Sequence, residues 1–341
     1  MAVLGIDMGK SSIKYCTANG VGEIPNLIAK GKLIKVISGP DLTTFFVNFE
    51  GEDYVVGDEA PLCKTFKPDV TEKKATKENL VLILSVLAKL GVTHAEMVVG
   101  LPVATLEHER DAVKKLFSGH KEAVINGNKA AFEIKTNVVS EPVGTFFSLS
   151  LDDNLRRIYA SNYFNDRDTT AIIDIGFRTV DTIILQRGAL AESRDSSLSG
   201  ALTLFQKAYK LFSAQFGMLT ENEKIKIRNA ITHNFGSPAL TVGGKFVNSA
   251  LWNEIRAYKK DLAKEIIRDT KNILVSIRPD RVIMTGGGAL LLRDELVEED
   301  ASLVFLPNPR FANAIGFYRA SMIQNAAAKS SAPADGTTVN S

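Results

Sequence analysis

Two stretches of the chain place aspartate, glycine and polar side chains at the same spacing. One is "GIDMGKSSIK" (Gly5–Lys14) and the other is "IIDIGFRTVD" (Ile172–Asp181). In both, an apolar run ends in Asp-X-Gly, three residues follow, and an apolar and then a charged residue close the stretch. Glycine allows a tight turn whose successive N–H groups can hold phosphate oxygens. One copy alone would be an ordinary β-hairpin, but two copies with matched flanks predict duplicated halves that clamp a triphosphate between them.

Side chains in the two loops suit the same chemistry. Serine and threonine hydroxyls can add hydrogen-bond donors to the backbone amides, and Lys14 can neutralise phosphate charge. Asp7 and Asp174 stand where the two apolar runs end, and carboxylate oxygens can hold Mg²⁺ through its waters.

A third stretch, "RVIMTGGGALL" (Arg281–Leu291), carries three consecutive glycines between a predicted strand and a predicted helix. Glycines at such a junction let the backbone approach a ligand closely, next to a helix N-terminus. The spacing differs from the dinucleotide pattern G-x-G-x-x-G, and a plain connection between strand and helix would not need three glycines. The stretch therefore predicts another wall of the same site.

The surrounding pattern predicts the elements that position these loops. Val3–Ile6 and Ile13–Thr17 read as a hairpin, and apolar residues recur at helical spacing in Thr76–Leu90. Strands mixed with helices throughout indicate the α/β class. The remaining predicted strands are Thr43–Phe49, Asp53–Val56, Glu96–Val103, Thr136–Val139, Arg281–Met284 and Ser302–Leu306, and the remaining helices are Leu106–Phe117, Gly200–Phe216, Ser249–Val275 and Phe311–Gln324. Leu151–Thr169 is predicted to be an irregular insertion or domain junction.

Composition argues against several classes of protein. The chain has 341 residues, 45% of them hydrophobic, which suits two domains with real cores. Lysine and arginine number 41 against 39 aspartates and glutamates, unlike a dedicated nucleic-acid-binding protein. Cys16 and Cys63 lack disulfide or metal spacing, which favours a reducing compartment. The most apolar run, Leu80–Leu90, is too short for a membrane span, so we expect a soluble, cytoplasmic protein with a disordered tail at 326–341.

Five segments, in their order along the chain, resemble the nucleotide-binding fold shared by actins, sugar kinases and the large heat-shock chaperones. They are similar, in turn, to its first phosphate loop, first connecting segment, second phosphate loop, adenosine segment and second connecting segment. A narrower likeness, to the plasmid-partition actin-like ATPases of the ParM/StbA type and their archaeal relatives, rests on "VVGLPV" and on "FANAIGFYRAS" after "LPNP". The five segments are "LGIDMGKSSIK", "VVSEPVGT" (Val138–Thr145), "AIIDIGFRTVD", "VIMTGGGALLL" and "FANAIGFYRA" (Phe311–Ala320).

The resemblance implies an actin-like, ribonuclease H-like α/β fold in which duplicated domains flank a nucleotide cleft. Residues 1–150 with 311–325 would form the first domain, and 151–310 would form the second. The connecting segments near Glu141–Thr145 and Ala312–Gly316 would act as the hinge between them.

The resemblance also implies roles for individual residues. Glu141 and Asp174 would be catalytic, with Glu141 positioning or polarising the water that attacks the γ-phosphate in line. Asp7 and Asp174 would hold the waters of Mg²⁺, and Lys14 would touch the β- and γ-phosphates. The implied nucleotide-binding residues are Gly9, Lys10, Ser11, Ser12, Lys14, Gly176, Phe177, Arg178, Thr179, Glu223, Lys224, Gly286, Gly287 and Gly288, with Glu223 and Lys224 beside the ribose or base.

The second phosphate loop departs from the family pattern, which is richer in glycine and hydroxyl residues at this place. Phe177 narrows the backbone freedom of the turn, and Arg178 either contacts phosphate or lies on the surface. Lys10 in the first loop stands where a small residue is commoner. These departures leave open the choice between ATP and GTP, and they leave open a scaffold that binds nucleotide without hydrolysis.

The function implied by the resemblance is a filament-forming ATPase. Its subunits would polymerise with ATP and Mg²⁺ bound and separate after hydrolysis, and an adaptor protein on centromere-like DNA would link the filament to a plasmid. The near-neutral charge agrees with no direct sequence-specific contact with DNA, and no membrane partner is expected. The enzyme alternative is a sugar or acetate kinase, which would need a further catalytic carboxylate. A chaperone would normally carry a substrate-binding domain after the nucleotide-binding part, and a membrane-tethered relative would need an amphipathic terminal helix.

Overall fold

The computed structural model describes residues 1–33, 43–67, 73–158, 161, 163, 165–196 and 200–330. These residues form two large β-sheets with helices packed against them, which confirms the α/β class. The strands are β1 Ala2–Met8, β2 Ser12–Thr17, β3 Gly20–Pro25, β4 Ile28–Lys30, β5 Thr44–Phe49, β6 Glu52–Gly57, β7 His94–Leu101, β8 Gly119–Ile125, β9 Asn128–Ser140, β10 Thr169–Ile175, β11 Val180–Gln186, β12 Ala189–Ser196, β13 Thr241–Val242, β14 Lys245–Phe246, β15 Arg281–Thr285 and β16 Val304–Phe305. The helices are α1 Lys77–Lys89, α2 Val103–Phe117, α3 Glu141–Ser150, α4 Leu202–Phe216, α5 Glu221–His233, α6 Ser249–Leu274, α7 Gly286–Leu291, α8 Arg293–Glu299 and α9 Ala312–Ser330, with short 3-10 turns at Ala60–Leu62 and Pro309–Phe311.

The two sheets repeat one local arrangement at their centres. The first has the order β3-β2-β1-β7-β9-β8-β5-β6-β4 and the second has the order β12-β11-β10-β15-β16. In the first, β1 pairs antiparallel with β2 and parallel with β7; in the second, β10 pairs antiparallel with β11 and parallel with β15. Asp7 lies opposite Lys14, and Asp174 lies opposite Asp181 in the same register. The predicted repeat of the hairpin is therefore confirmed, and it puts both aspartates at equivalent places.

Each sheet covers its own apolar core. Side chains of the first sheet pack with the buried face of α1 and with α2, and side chains of the second pack with α4, α5 and α6. Helix α1 begins where the pattern predicts, because the Thr76 hydroxyl accepts a hydrogen bond of 3.1 Å from the backbone N–H of Asn79. The division of the chain into two domains at 150 and 310 stays a prediction.

Helices α3 and α9 cross in direct backbone contact. A Cβ added to Gly316 would lie 1.6 Å from the Gly144 carbonyl oxygen, so both positions need glycine for the helices to come this close. Helix α9 approaches β1 equally closely, since a Cβ on Gly5 would lie 2.1 Å from the Ala314 carbonyl oxygen. The last helix is thereby held against the first sheet, next to the strand that carries Asp7.

Several elements differ from the predictions. Strand β9 begins at Asn128 rather than Thr136 and pairs with an unpredicted strand, β8, because alternate side chains from Phe132 onward are buried. The connecting segment "SEPVGT" opens helix α3, for which no helix was predicted, and Pro142 suits the first turn of this helix. Helix α9 passes Gln324 and takes in 326–330 of the predicted tail, and the rest of that tail, 331–341, lies outside the described residues.

The predicted insertion at 151–169 forms turns and an isolated bridge between Leu151 and Arg157. Its residues 159, 160, 162 and 164 lie outside the described ones. Across the described part of the chain, the helices fall short of the length and apolar character that crossing a membrane requires.

Candidate active site

A single cleft brings together the two hairpins and the triple glycine. Its volume is about 690 Å³, and its walls come from the β1–β2 turn, the β10–β11 turn, the start of α7, one face of α5 and the start of α9. The predicted residues that line it are Asp7, Gly9, Lys10, Ser11, Ser12, Lys14, Glu141, Asp174, Gly176, Phe177, Arg178, Thr179, Gly286, Gly287 and Gly288. Segments that are up to 281 positions apart in the sequence (Asp7 to Gly288) thus meet in one place.

The first hairpin supplies a paired charge. The Lys14 Nζ lies 2.8 Å from Asp7 Oδ2, and both side chains are largely buried. Burial opposes the Lys14 ammonium, but the charge and hydrogen bond of Asp7, with a further contribution from Asp174, raise the Lys14 pKa above its ordinary value. The turn itself is fastened from outside, because Asn26 donates its side-chain amide to the Gly9 carbonyl at 2.9 Å. Lys14 is therefore a fixed positive charge at the floor of the cleft.

The second hairpin is anchored on helix α4. The backbone N–H groups of Gly200, Ala201 and Leu202 donate to the carbonyls of residues 178, 176 and 177 at 2.8, 3.1 and 2.7 Å. The Phe177 ring stacks on Phe205 with 5.8 Å between centroids. Phe177 thus packs partly into the core below the turn, which explains how a large residue fits where the family pattern has small ones.

The side chains next to this turn remain at the cleft. The Thr179 hydroxyl donates to Asp181 Oδ2 at 3.1 Å, and both residues line the cavity. Arg178 lines it as well, so of the two alternatives drawn from the sequence, the structure favours a place within reach of a ligand.

Two carboxyl groups in the cleft, those of Glu141 and Asp174, have raised pKa values. Glu141 is the first residue of α3, and burial raises its pKa to about 7, to which the charges of Asp7 and Asp174 add while Lys74 opposes. Burial likewise raises the pKa of Asp174 to about 6, with Asp7 adding and Lys14 opposing. A carboxyl group with a pKa near 7 can take up a proton from a reacting water at neutral pH.

Lys74 is a cleft residue that the sequence reading missed. Its side chain is 7% exposed, and its Nζ donates a short hydrogen bond to the Met8 carbonyl at the end of β1. Burial lowers the Lys74 pKa below its ordinary value, and the nearby charges of Lys10 and Lys14 add to this, while Glu141 and Asp7 oppose it. A buried ammonium beside Glu141 would suit the outermost phosphate of a bound triphosphate.

The three consecutive glycines have different duties. Gly286 has φ +88°, a backbone conformation that favours glycine, and a Cβ there would lie 2.3 Å from Asp174 Oδ1. Backbone conformation and lack of space therefore both require glycine at this position. A Cβ on Gly288 would lie 2.4 Å from the Ile175 side chain. A Cβ on Gly287 would meet nothing within 4 Å and would project into open space at the cleft. Gly287 is therefore the glycine whose backbone is free to contact a ligand.

Glu223 and Lys224 are not among the residues that line the cavity, and their place beside the ribose or base stays a prediction. Glu223 closes a capping box with Thr220 at the start of α5 and also accepts the Gly243 N–H at 2.9 Å. Lys224 pairs with Glu221 at 2.6 Å. Later turns of the same helix reach the cleft instead, through Ile225, Arg228, Asn229, Thr232 and His233.

The oxygen donors in the cleft fit a hard cation. Asp7 and Asp174 lie on the two facing hairpins, and two carboxylates suit a Mg²⁺ ion that keeps several waters and takes further oxygens from phosphates. Among the described residues, no three His, Cys, Asp or Glu side chains come together as a metal-binding group.

Two models of known protein families match the two halves of the chain. The family model for the N-terminal domain of actin-like proteins matches residues 5–144, and the model for the C-terminal domain of archaeal MreB-like actin homologues matches residues 172–298. No curated protein sequence matches the chain.

Solved structures of similar fold cover nearly the whole chain. Ta0583, an archaeal actin homologue, has a TM-score of 0.75 at 20% identity, over 95% of this chain and 100% of its own. A ParM from a 15-stranded filament of Clostridium botulinum has a TM-score of 0.74 at 18% identity, over 94% and 99%. The ParM of Bacillus thuringiensis, solved with ATP, has a TM-score of 0.69 at 15% identity, over 96% and 99%. The chain has the actin-like fold and is an actin-like protein, with an actin-like N-terminal domain and an archaeal MreB-like C-terminal domain.

Proposed function

We propose that this protein is an ATPase that assembles into filaments when ATP and Mg²⁺ are bound and disassembles after hydrolysis. The observation that carries the proposal is the cleft, because two repeated Asp-X-Gly hairpins and Glu141 line one cavity. Similar structures include a ParM with ATP, the archaeal homologue with ADP and a ParM filament, which supports nucleotide binding and self-association as the first functions to test.

Different residues of the cleft would bind the phosphates, hold Mg²⁺ and activate the attacking water. The turns after β1 and β10 would hold the phosphates from both sides with backbone amides and with the Lys14 ammonium. Mg²⁺, when bound, would neutralise charge on the phosphates, and Asp7 and Asp174 would hold its waters. Glu141 would accept a hydrogen bond from the attacking water, and its pKa of about 7 suits it to take the proton.

The biological setting that we propose is plasmid segregation in the cytoplasm, with the filament linked to DNA by an adaptor protein bound at a centromere-like site. The nearly balanced charge, with 41 basic and 39 acidic residues, supports indirect rather than direct contact with DNA.

Right-angle light scattering tests the proposal. Purified protein at several concentrations in Mg²⁺ is followed before and after the addition of ATP, alongside Asp174→Ala and alongside ATP with chelator. The proposal predicts a rise above a threshold concentration, a decay as ATP is consumed, and no hydrolysis by the variant. Nucleotide binding without any rise would refute polymerisation, and the absence of nucleotide binding would refute the assignment of the cleft.

A further inference from the structure

We propose that Asn313 is a positioning residue that ties Asp174, in the cleft, to the point where α3 and α9 cross. Its side-chain amide donates to Asp174 Oδ2 at 3.2 Å, and its carbonyl oxygen accepts the Thr145 hydroxyl at 2.7 Å. Asp174 belongs to β10, Asn313 to the first turn of α9 and Thr145 to α3, so this relay of three side chains joins three separate elements. Asn313 lines the cleft but belongs neither to a phosphate loop nor to the three consecutive glycines, and Thr145 is not among the residues that line the cleft.

The chemistry of the three groups fixes the orientation of the relay. An ionised carboxylate only accepts hydrogen bonds, so the Asn313 NH₂ group must face Asp174. The Asn313 oxygen then faces Thr145, whose hydroxyl must donate. The reverse orientation would place two acceptors against each other at Asp174. Thr145 is fully buried, so its hydroxyl has no water to replace Asn313.

The backbone around the relay leaves little room for independent movement. Thr145 follows Gly144, whose carbonyl oxygen is the atom that a Cβ on Gly316 would strike at 1.6 Å. A Cβ on Gly144 would lie 2.9 Å from the Asn313 carbonyl oxygen, so the relay lies directly at the helix crossing. On the far side, Arg319 of α9 donates to the Ser148 carbonyl of α3 at 2.9 Å. A shift of α3 along α9 would therefore strain the hydrogen bond between Thr145 and Asn313, and a shift of Asn313 would strain its hydrogen bond to Asp174.

Helices α3 and α9 lie where the chain passes between the two sheets. Helix α3 follows β9 of the first sheet and leads to β10 of the second, while α9 follows β16 of the second sheet and packs on β1 of the first. Asp174 is thus connected, through two hydrogen bonds, to the structure that sets how the sheets are arranged. This inference rests on the proposed function, in which Asp174 holds the waters of Mg²⁺.

The relay predicts a specific defect in Asn313→Ala and in Thr145→Val. Asn313→Ala removes the hydrogen bond that orients the Asp174 carboxylate. Because this carboxylate would hold the waters of Mg²⁺, the Mg²⁺ concentration for half-maximal ATP hydrolysis should rise about tenfold. Thr145→Val keeps the shape of the side chain but removes the donor, and we expect a smaller rise in the same direction. Thr145→Ser restores the donor and should return the Mg²⁺ requirement toward that of the wild type. Nucleotide binding measured in chelator should change less than twofold in all of them.

A double-mutant cycle distinguishes the relay from a general loss of packing. Because both changes interrupt one path, Asn313→Ala with Thr145→Val should require no more Mg²⁺ than Asn313→Ala alone. Ser148→Ala is the matched control, because it removes a hydroxyl that bonds within α3 to the Thr145 carbonyl at 2.8 Å and does not touch Asn313. Additive effects, or a Mg²⁺ requirement that Asn313→Ala leaves unchanged while the wild type hydrolyses ATP, would overturn the relay. A wild type that binds no nucleotide would instead overturn the proposed function, a separate and recognisable result.

Discussion

The raised pKa of Glu141 predicts how the folding stability of the nucleotide-free protein changes with pH. Its pKa of about 7 lies well above the ordinary 4.5 of a glutamate, and burial is the main cause. The folded state therefore holds a proton on Glu141 over a range of pH in which the unfolded state has lost it. Folding stability from this group is fully present below pH 4.5, declines as the pH rises toward 7, and stays lost above that.

The size of the effect follows from the difference in pKa. A shift from 4.5 to about 7 corresponds to at most about 3 kcal/mol of stability lost at pH 8. Two features reduce this value in practice. The carboxyl group is in part accessible from the cleft, and its charge stabilises the Lys74 ammonium, which loses that partner when Glu141 is replaced. We therefore expect Glu141→Gln to raise the free energy of unfolding by about 1–2 kcal/mol at pH 8 and by nearly nothing at pH 5.

Urea unfolding of the nucleotide-free protein from pH 5 to pH 8 measures this difference. Glu254→Gln, an exposed change on α6, is the matched control and should follow the wild type at every pH. In the same variant, ATP hydrolysis should fall by at least about a hundredfold, because the group that takes the proton is gone. A difference in stability that does not vary with pH, or a Glu141→Gln protein that is less stable at pH 8, would refute the reasoning.

Four further substitutions test Lys74, two of the three consecutive glycines and the crossing of α3 with α9. Lys74→Met should lower the rate of ATP hydrolysis by at least about tenfold, whereas the control Lys73→Met changes an exposed lysine and should leave the rate unchanged. Equal rates for the two variants in a phosphate-release assay would show that Lys74 takes no part in hydrolysis. Gly286→Ala should lower the free energy of unfolding by about 1–3 kcal/mol, whereas Gly287→Ala should leave urea unfolding unchanged and weaken nucleotide binding; a reversed pattern would contradict the assigned duties. Gly316→Ala should lower the thermal midpoint by several degrees, since its Cβ would lie 1.6 Å from a backbone oxygen, and an unchanged midpoint would show that α3 and α9 can separate without cost.

The parts of the site that were predictable from sequence are those whose signal is local. The sequence pattern of each Asp-X-Gly hairpin lies within ten consecutive residues. The matching registers, Asp7 opposite Lys14 and Asp174 opposite Asp181, follow from the repeat of that pattern. The triple glycine was likewise readable, because only backbone that must come close to another atom requires it. The difference among Gly286, Gly287 and Gly288 was not, since it depends on where Asp174 and Ile175 lie in space.

The features that the sequence does not predict are those whose position depends on tertiary packing. Lys74 reaches the cleft because the start of α1 lies at the end of β1, and a lysine two residues before a helix cap carries no local sign of burial. The capping box at the start of α5 was a readable local signal, because Glu223 follows Thr220 by three residues. Asn313 lies inside a segment that the resemblance marked as connecting, yet its two hydrogen bonds span 168 and 139 residues of sequence.

The most direct test of the central claim is phosphate release from ATP in Mg²⁺, recorded together with light scattering in the same sample for the wild type and Glu141→Gln. We predict that the wild type releases phosphate as its scattering rises and decays. We predict that Glu141→Gln binds ATP and scatters as strongly, but neither releases phosphate at the wild-type rate nor shows the decay in scattering. Equal phosphate release by the two proteins, or release by neither although ATP is bound, would contradict the claim that this cleft hydrolyses ATP through Glu141.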